Sequence, residues 1–337
     1  MPPSQPPPPP IYPLYNTTYN LHRLSPLHAF HPSLLPTHTT ALHEILTGST
    51  LRGVRIGLSP TDAALSRAGA LQRVSMRPLR SPSAWDAVHA AELDDTAVLD
   101  EEEGGWGVII EIVYEKANYT AILLRDISAS SNTNSANEGG EFAHLPLLLT
   151  RLPPPLRTTL LDFLATRFDT RASPLHLSSS FLKGALGGYI DALIAGGGDV
   201  KGAVGDVVVS LAFPTGDVGE GGELKSIDIT IPRADLDGFL ERGTNTTTSS
   251  TTAPAPHEQQ HPLWTSLSKH LSSHLSLSLS NPSVAVTKIA CGAFVMAREG
   301  RVKVSAPGGG RGRGKGRRGC WVGWLAGRGG RGEGFAW

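Results

Sequence analysis

The sequence predicts an α+β protein: a mostly antiparallel, curved sheet with helices packed on it, a disordered N-terminal arm and a Gly/Arg-rich C-terminal tail. Three observations predict it. Strand-like stretches cluster in groups with helices between the groups, without the βαβ alternation of a parallel sheet. Residues 106–115 and 119–125 are rich in Val, Ile and Tyr, and only Lys116-Ala-Asn118 separates them, which suits a hairpin. The 38 Gly and 26 Pro concentrate in low-complexity segments, leaving an ordinary foldable region between them.

Residues 1–10 are a Pro-rich arm suited to polyproline II and unlikely material for a core. The foldable region spans 11–306. It opens with Tyr15-Asn-Thr-Thr-Tyr-Asn-Leu-His-Arg, in which Tyr15, Thr17, Tyr19, Leu21 and Arg23 alternate with Asn16, Thr18, Asn20 and His22; this period of two predicts a strand. Pro26, lacking an N–H, ends it. Residues 37–48 predict a helix with Leu42, Ile45 and Leu46 inward and Gly48 as its stop. A short strand at 51–58 precedes a helix started by Ser59-Pro60 and running to about Ala68. Residues 85–93 predict a further helix, and 94–103 an acidic solvated loop.

After the 106–125 hairpin, residues 128–141 read as a disordered insertion, and 145–152 suit either a strand or a helix. Residues 153–168 predict a helix with Leu156, Leu160, Leu161, Phe163 and Leu164 inward, and Ser178 caps a longer helix stopped by Gly196-Gly-Gly198. Strands follow at 204–213 and 224–231, then a short helix from Pro232 with Leu236, Phe239 and Leu240 apolar. Residues 243–261 read as a Thr/Ser/Pro linker, and 262–279 as an amphipathic helix. Strands at 283–289, 293–297 and 301–305 close the region, and composition breaks sharply at Pro307. The sequence shows no internal repeat.

The formal net charge is zero but unevenly spread. Residues 307–337 carry seven basic residues against Glu333, a net of +6, leaving −6 on 1–306 and predicting a mildly acidic folded part. Cys291 and Cys320 are too few for a disulfide framework or a zinc site, which points to a reducing compartment. The N-terminus has neither the charged nor the apolar segment of a signal peptide. No apolar run of 18 residues predicts a membrane span, so no membrane partner is expected.

His270 and His274 have the i,i+4 spacing of zinc ligands on a helix, but no glutamate follows the first, so no metal site is assigned. Gly184-Ala-Leu-Gly-Gly188 and Gly196-Gly-Gly-Asp-Val-Lys-Gly202 lack the strand-to-helix setting of a phosphate loop, and Lys201 is not followed by Ser or Thr. Ser178, Ser179 and Ser180 have no nucleophile-elbow glycines, and Cys291 sits in an apolar setting where thiols are inert. No catalytic residue, cofactor or enzymatic activity is expected.

The strongest charge signal is the tail. Arg311, Arg313, Lys315, Arg317 and Arg318 lie in flexible glycine, and Trp321, Trp324 and Trp337 offer stacking faces. This pattern makes an alternative function, nucleic-acid binding through the tail, against the simpler reading of a solvated basic segment.

Four segments carry a family resemblance: Tyr15-Asn-Thr-Thr-Tyr-Asn-Leu-His-Arg-Leu-Ser-Pro-Leu27, Ile45-Leu-Thr-Gly-Ser-Thr-Leu-Arg-Gly-Val-Arg-Ile-Gly-Leu58, Phe168-Asp-Thr-Arg-Ala-Ser-Pro-Leu175 and Lys288-Ile-Ala-Cys-Gly-Ala-Phe-Val295. Together they resemble the CENP-L family of inner-kinetochore proteins, across roughly 11–305. The resemblance implies a nuclear scaffold at the centromere and kinetochore, acting in chromosome segregation. It implies pairing with a CENP-N-like subunit, contact with other inner-kinetochore proteins and centromeric CENP-A chromatin, and homodimers as a further family arrangement. The partner is expected to extend a sheet in the C-terminal part. That expectation falls on residues 283–305, with Val284, Val286, Ile289, Phe294, Val295, Val302 and Val304 as partner-binding candidates, about half of them facing the core.

Overall fold

The computed structural model describes residues 11–48, 50–51, 54–55, 67–80, 85, 107–125, 142–213, 226–249 and 261–306. These residues form two units, one within Met1–Leu175 and one within His176–Pro307. The strand continuing to residue 58, most of the helices expected at 59–68 and 85–93, the acidic loop, the 128–141 insertion and the tail lie outside the described residues.

In the first unit the hairpin lies among six sheet strands. β1 is Thr18–Leu24, β2 Leu71–Leu79, β3 Gly107–Tyr114, β4 Asn118–Leu124, β5 Leu147–Arg151 and β6 Ala172–Pro174. Their order is β6-β1-β5-β4-β3-β2, and every ladder is antiparallel. Residues 147–151, open between helix and strand in the sequence, therefore join the sheet between β1 and β4. Alternate residues Val108, Ile110, Ile112, Ala121, Leu123 and Leu148 share one face. Two helices supply the rest of that core: α1 (Leu35–Gly48) gives Leu42 and Leu46, and α2 (Pro154–Phe168) gives Leu156, Leu160, Phe163, Leu164 and Phe168. Ile45, expected inward, is 46% exposed, because the 3.6-residue period carries it off the stripe set by Leu42 and Leu46. Gly107 is required by close approach: a Cβ there would run into the Leu123 carbonyl of the neighbouring strand.

β2 has no counterpart among the expected strands. Its sequence, LQRVSMRPL, buries only Val74, Met76 and Leu79, and Arg73, Arg77 and Pro78 obscure the alternation. Such a strand is tolerated at an edge, where Pro costs no ladder hydrogen bond.

Two segments far apart in sequence are tied beside β1 and β6. The Ser25 N–H donates to the Arg171 carbonyl at 3.0 Å, and the Arg171 N–H donates to Ser25 Oγ at 2.8 Å. Thr170 Oγ1 donates to the Ser25 carbonyl at 2.8 Å and lies 3.1 Å from Ser25 Oγ. Thr170 is buried, so its hydroxyl needs these partners.

The second unit has its own antiparallel ladder. β7 is Val207–Ala212, β8 Ser226–Ile231, β9 Ala285–Ala290, β10 Phe294–Ala297 and β11 Arg301–Val304, in the order β8-β7-β9-β10-β11. Helix α3 (Ser179–Ala195) packs on β9 and buries Leu182, Leu186 and Ile190. Ser178 caps it as expected, accepting from the Phe181 N–H at 3.1 Å. A single-turn helix α4 (Val200–Val204) leads into β7.

Helices α5 (Leu236–Ser249) and α6 (Pro262–Leu275) pack together, and here the linker expectation is corrected. Residues 243–249 continue α5 instead of opening a linker. Gly243 is buried, and a side chain there would strike the Pro262 carbonyl, so glycine serves helix contact and not chain flexibility. The buried Ser266 hydroxyl donates to the Phe239 carbonyl at 2.5 Å and fastens α6 to α5. α6 stops at Leu275, before the expected 279, because Ser276 turns into the left-handed region at φ 52°.

Candidate partner interface

Strand sequence and pairing decide what the second unit can present. In β9 the ladder slips: Ser210 faces Lys288, but Leu211 faces Val286, leaving Thr287 as an extra residue. This β-bulge puts Val286 and Ile289 both in the core although they are three apart, which simple alternation forbids. Phe294 and Met296 of β10, and Val302 and Val304 of β11, are buried with regular spacing. Phe294 meets the Tyr189 ring of α3 edge-on at 5.9 Å.

Five of the seven sequence candidates, Val286, Ile289, Phe294, Val302 and Val304, are therefore buried core residues. Val284, just before β9, and Val295, on the outer side of β10, are half-buried. β9 is paired on both sides, by β7 and β10, and β10 is paired by β9 and β11. The expectation of an open edge across 283–305 is thus not met by these two strands: their main-chain groups are already committed to neighbours.

An edge lies elsewhere in this unit. β8 pairs with β7 from Ser226 to Ile231 and has no second partner among the described residues. Its sequence, SIDITI, alternates: Ser226, Asp228 and Thr230 are exposed, Ile227 and Ile229 half-buried and Ile231 buried. It holds neither proline nor lysine, the residues that usually blunt an edge. Sequence reading found the strand but not its place at the edge, because strand order is a tertiary property.

Other candidate chemistry resolves into packing. His270 and His274 rings lie 4.4 Å apart, yet among the described residues no three His, Cys, Asp or Glu side chains converge as metal ligands. His261 caps α6, its Nδ1 accepting from the Leu263 N–H at 3.2 Å, while its Nε2 lies 3.2 Å from Asp191. Burial lowers its pKa, and the Asp191 carboxylate opposes that shift. Ser178 caps α3, and Ser179 Oγ accepts from the Val286 N–H at 3.1 Å. Burial pushes the Cys291 thiol upward, away from the reactive thiolate. Gly196-Gly-Gly198 ends α3, and Asp199 caps α4 by accepting from the Gly202 N–H at 3.1 Å. Lys201 pairs with Asp237 at 2.8 Å.

The charge expectation also changes. Among the described residues of the first unit, Arg and Lys outnumber Asp and Glu, because the acids of 1–306 concentrate in stretches such as 94–103. Arg311, Arg313, Lys315, Arg317 and Arg318 lie outside the described residues. No described helix is long and apolar enough to cross a membrane.

These features define a protein of the α+β class with β8 at a sheet edge among the described residues. The sequence matches the family of centromere protein L, CENP-L, over residues 13–321, nearly the whole chain, and the protein belongs to that family. The match begins with the opening strand and runs past Ala306 into the basic segment. CENP-L is a structural family of the kinetochore and not a known enzyme family; its place is the nuclear centromere, in association with inner-kinetochore proteins. No curated protein matches the chain significantly.

Proposed function

We propose that this chain is a non-enzymatic scaffold subunit of the inner kinetochore that pairs with a CENP-N-like subunit and helps anchor the centromere-associated network to CENP-A chromatin. The partner adds a strand to the second unit. The observation that carries this reading is β8, a six-residue strand with four β-branched residues, one unpaired side among the described residues and neither proline nor lysine. An added strand gains main-chain hydrogen bonds along such an edge, and side chains on alternate positions give selectivity.

The terminal strands serve the same interface from behind. Val286, Ile289, Phe294, Val302 and Val304 form the buried side of the ladder that supports β7 and β8, and the half-buried Val284 and Val295 are the ones left to touch a partner side chain. A second copy of the chain is the competing occupant of the same edge.

Co-expression of residues 11–306 with the CENP-N-like subunit, followed by size-exclusion chromatography, tests the reading. A one-to-one complex is expected, lost in the Asp228→Lys/Thr230→Lys variant, whose substitutions fall on exposed positions. A variant that stays folded and still co-elutes overturns the edge assignment. Failure of the unmodified chain to form any complex overturns the pairing itself.

A further inference from the structure

The chain contains the pattern Arg-x-Ser-Pro-Leu-His twice: Arg23-Leu-Ser-Pro-Leu-His28 and Arg171-Ala-Ser-Pro-Leu-His176. The fold lays the two copies against each other. β1 and β6 pair antiparallel with Leu24 opposite Ala172 and Arg23 opposite Ser173, and the Ser25 N–H bonds to the Arg171 carbonyl. Each serine thus lies across the ladder from the arginine of the other copy. Directly opposite residues of an antiparallel pair project to the same face.

The two serines nevertheless differ. Ser25 is half-buried, and its Oγ is held by the Arg171 N–H at 2.8 Å and by Thr170 Oγ1 at 3.1 Å. Ser173 and the following Pro174 are exposed, and the Ser173 hydroxyl makes no hydrogen bond among the described residues. β6 is three residues long and pairs only with β1, so it is inexpensive to lift from the sheet.

We propose that Ser173 is a phosphorylation site for a proline-directed Ser/Thr kinase, and that Arg23 and Arg171 receive the phosphate. The acceptor has proline at the next position, arginine two residues before and histidine three after. Ser173 Oγ attacks the γ-phosphorus of Mg-ATP. The new O–P bond forms as the bond to the β-phosphate oxygen breaks, ADP leaves, and the hydroxyl proton passes to the kinase's carboxylate base. The product carries close to two negative charges at neutral pH beside the exposed Arg23 across the ladder and Arg171 two residues back on the same face. Phosphorylation therefore tightens β6 on β1. Ser25, with the same local sequence, remains a structural serine because folding has sequestered its oxygen.

The repeated Arg-x-Ser-Pro-Leu-His pattern supplies its own control. The folded full-length chain is incubated with a proline-directed kinase and Mg-ATP, and both sites are read by mass spectrometry beside peptides spanning 20–30 and 168–178. Both peptides are expected to accept phosphate at comparable rates, while the folded chain takes it at Ser173 at least tenfold faster than at Ser25. Equal rates at the two sites in the folded chain, or Ser173 incorporation below a tenth of its peptide, overturn the site. Phosphorus NMR then reads the second ionisation of the phosphate. Its midpoint is expected lower in the folded chain than in the peptide, and to return toward the peptide value in Arg23→Gln, a change at an exposed residue. A midpoint identical to the peptide's overturns the arginine pairing.

Discussion

The two units solve the problem of an open sheet edge in opposite ways. In the first, β2 is defended. The Met76 N–H points away from β3 and donates to Thr39 Oγ1 of α1 at 3.2 Å. Pro78, two residues on and facing the same side, has no N–H to offer, and exposed Arg73 and Arg77 place charge along the strand. Arg77 is fixed in turn by Glu111 of β3 at 2.6 Å. In the second unit, β8 presents Ser, Ile, Asp, Ile, Thr and Ile, with a single charge and no covering contact among the described residues. The difference teaches that an exposed edge is informative only beside one that the same chain has taken care to close.

The largest expected effect comes from removing the cover of β2. Leu42 of α1 is fully buried against the sheet, and Leu42→Ala should destabilise the first unit by about 3 kcal/mol. Chemical denaturation of the full chain measures it, and a change below about 1 kcal/mol would mean that α1 rests only loosely on β2. Val302→Glu belongs beside it. At 3% exposure this valine is core, so the substitution should unfold the second unit before it reports on any partner.

The next effect is on binding. Asp228→Lys/Thr230→Lys should weaken the partner complex at least tenfold, about 1.4 kcal/mol, while thermal stability stays within about 0.5 kcal/mol of the unmodified chain. A parallel loss in both readings would make β8 structural instead of a docking strand.

Smaller again is Thr39→Val, which keeps shape and removes the hydroxyl that receives the Met76 N–H. A loss of about 1 kcal/mol is expected, with increased self-association at high concentration because the β2 edge is then unmet. Unchanged sedimentation would show that Pro78 and the arginines suffice as defence.

The smallest effect is a pH dependence carried in the first unit by His38 and His22, with His261 of the second unit shifted in the same sense. His38 is buried between Phe30, stacked at 6.0 Å, and Phe168, edge-on at 4.8 Å, and neither ring nitrogen has a hydrogen-bond partner among the described residues. Burial, then the positive charge of Arg167 and the neighbouring His31, lower its pKa from 6.5. His22 is lowered in the same sense, first by burial and then by Arg157, with the Asn20 backbone acting against it. Below pH 6.5 the unfolded chain takes up protons that the folded chain refuses. Stability should be full above that pH and fall as pH drops toward the lowered folded-state values. His38→Phe should flatten the slope, and an unchanged slope in thermal melts from pH 7.5 to 5 would assign it to other groups.

Much of this was legible in the sequence because it rests on local rules. The 107–124 hairpin follows from β-branched runs around a short turn, α2 from prolines at its start, and α3 from the Ser178 cap. Three of the four family segments contain strands of the sheet, β1, β6 and the β9–β10 turn, while the segment from Ile45 begins in α1. β2 was not legible, since an edge strand needs only Val74, Met76 and Leu79 inward, too few to set a period among Arg and Pro. Residues 243–249 misled because Thr and Ser favour linkers on composition, whereas α6 packing holds them as helix.

By itself, then, the sequence determined the class of fold, the positions of most elements and the family, since periodicity, caps and turn residues act over a few neighbours. Only the tertiary structure decided that β9 and β10 are interior while β8 is last in its ladder, that a bulge at Thr287 turns Val286 and Ile289 to one core, and that of two identical Ser-Pro-Leu-His stretches one serine is tied and the other free. Strand order, register and access to a hydroxyl depend on residues distant in sequence, up to the 146 positions between Ser25 and Arg171. No local rule carries that information, because hydrogen-bond partners are chosen by the fold as a whole.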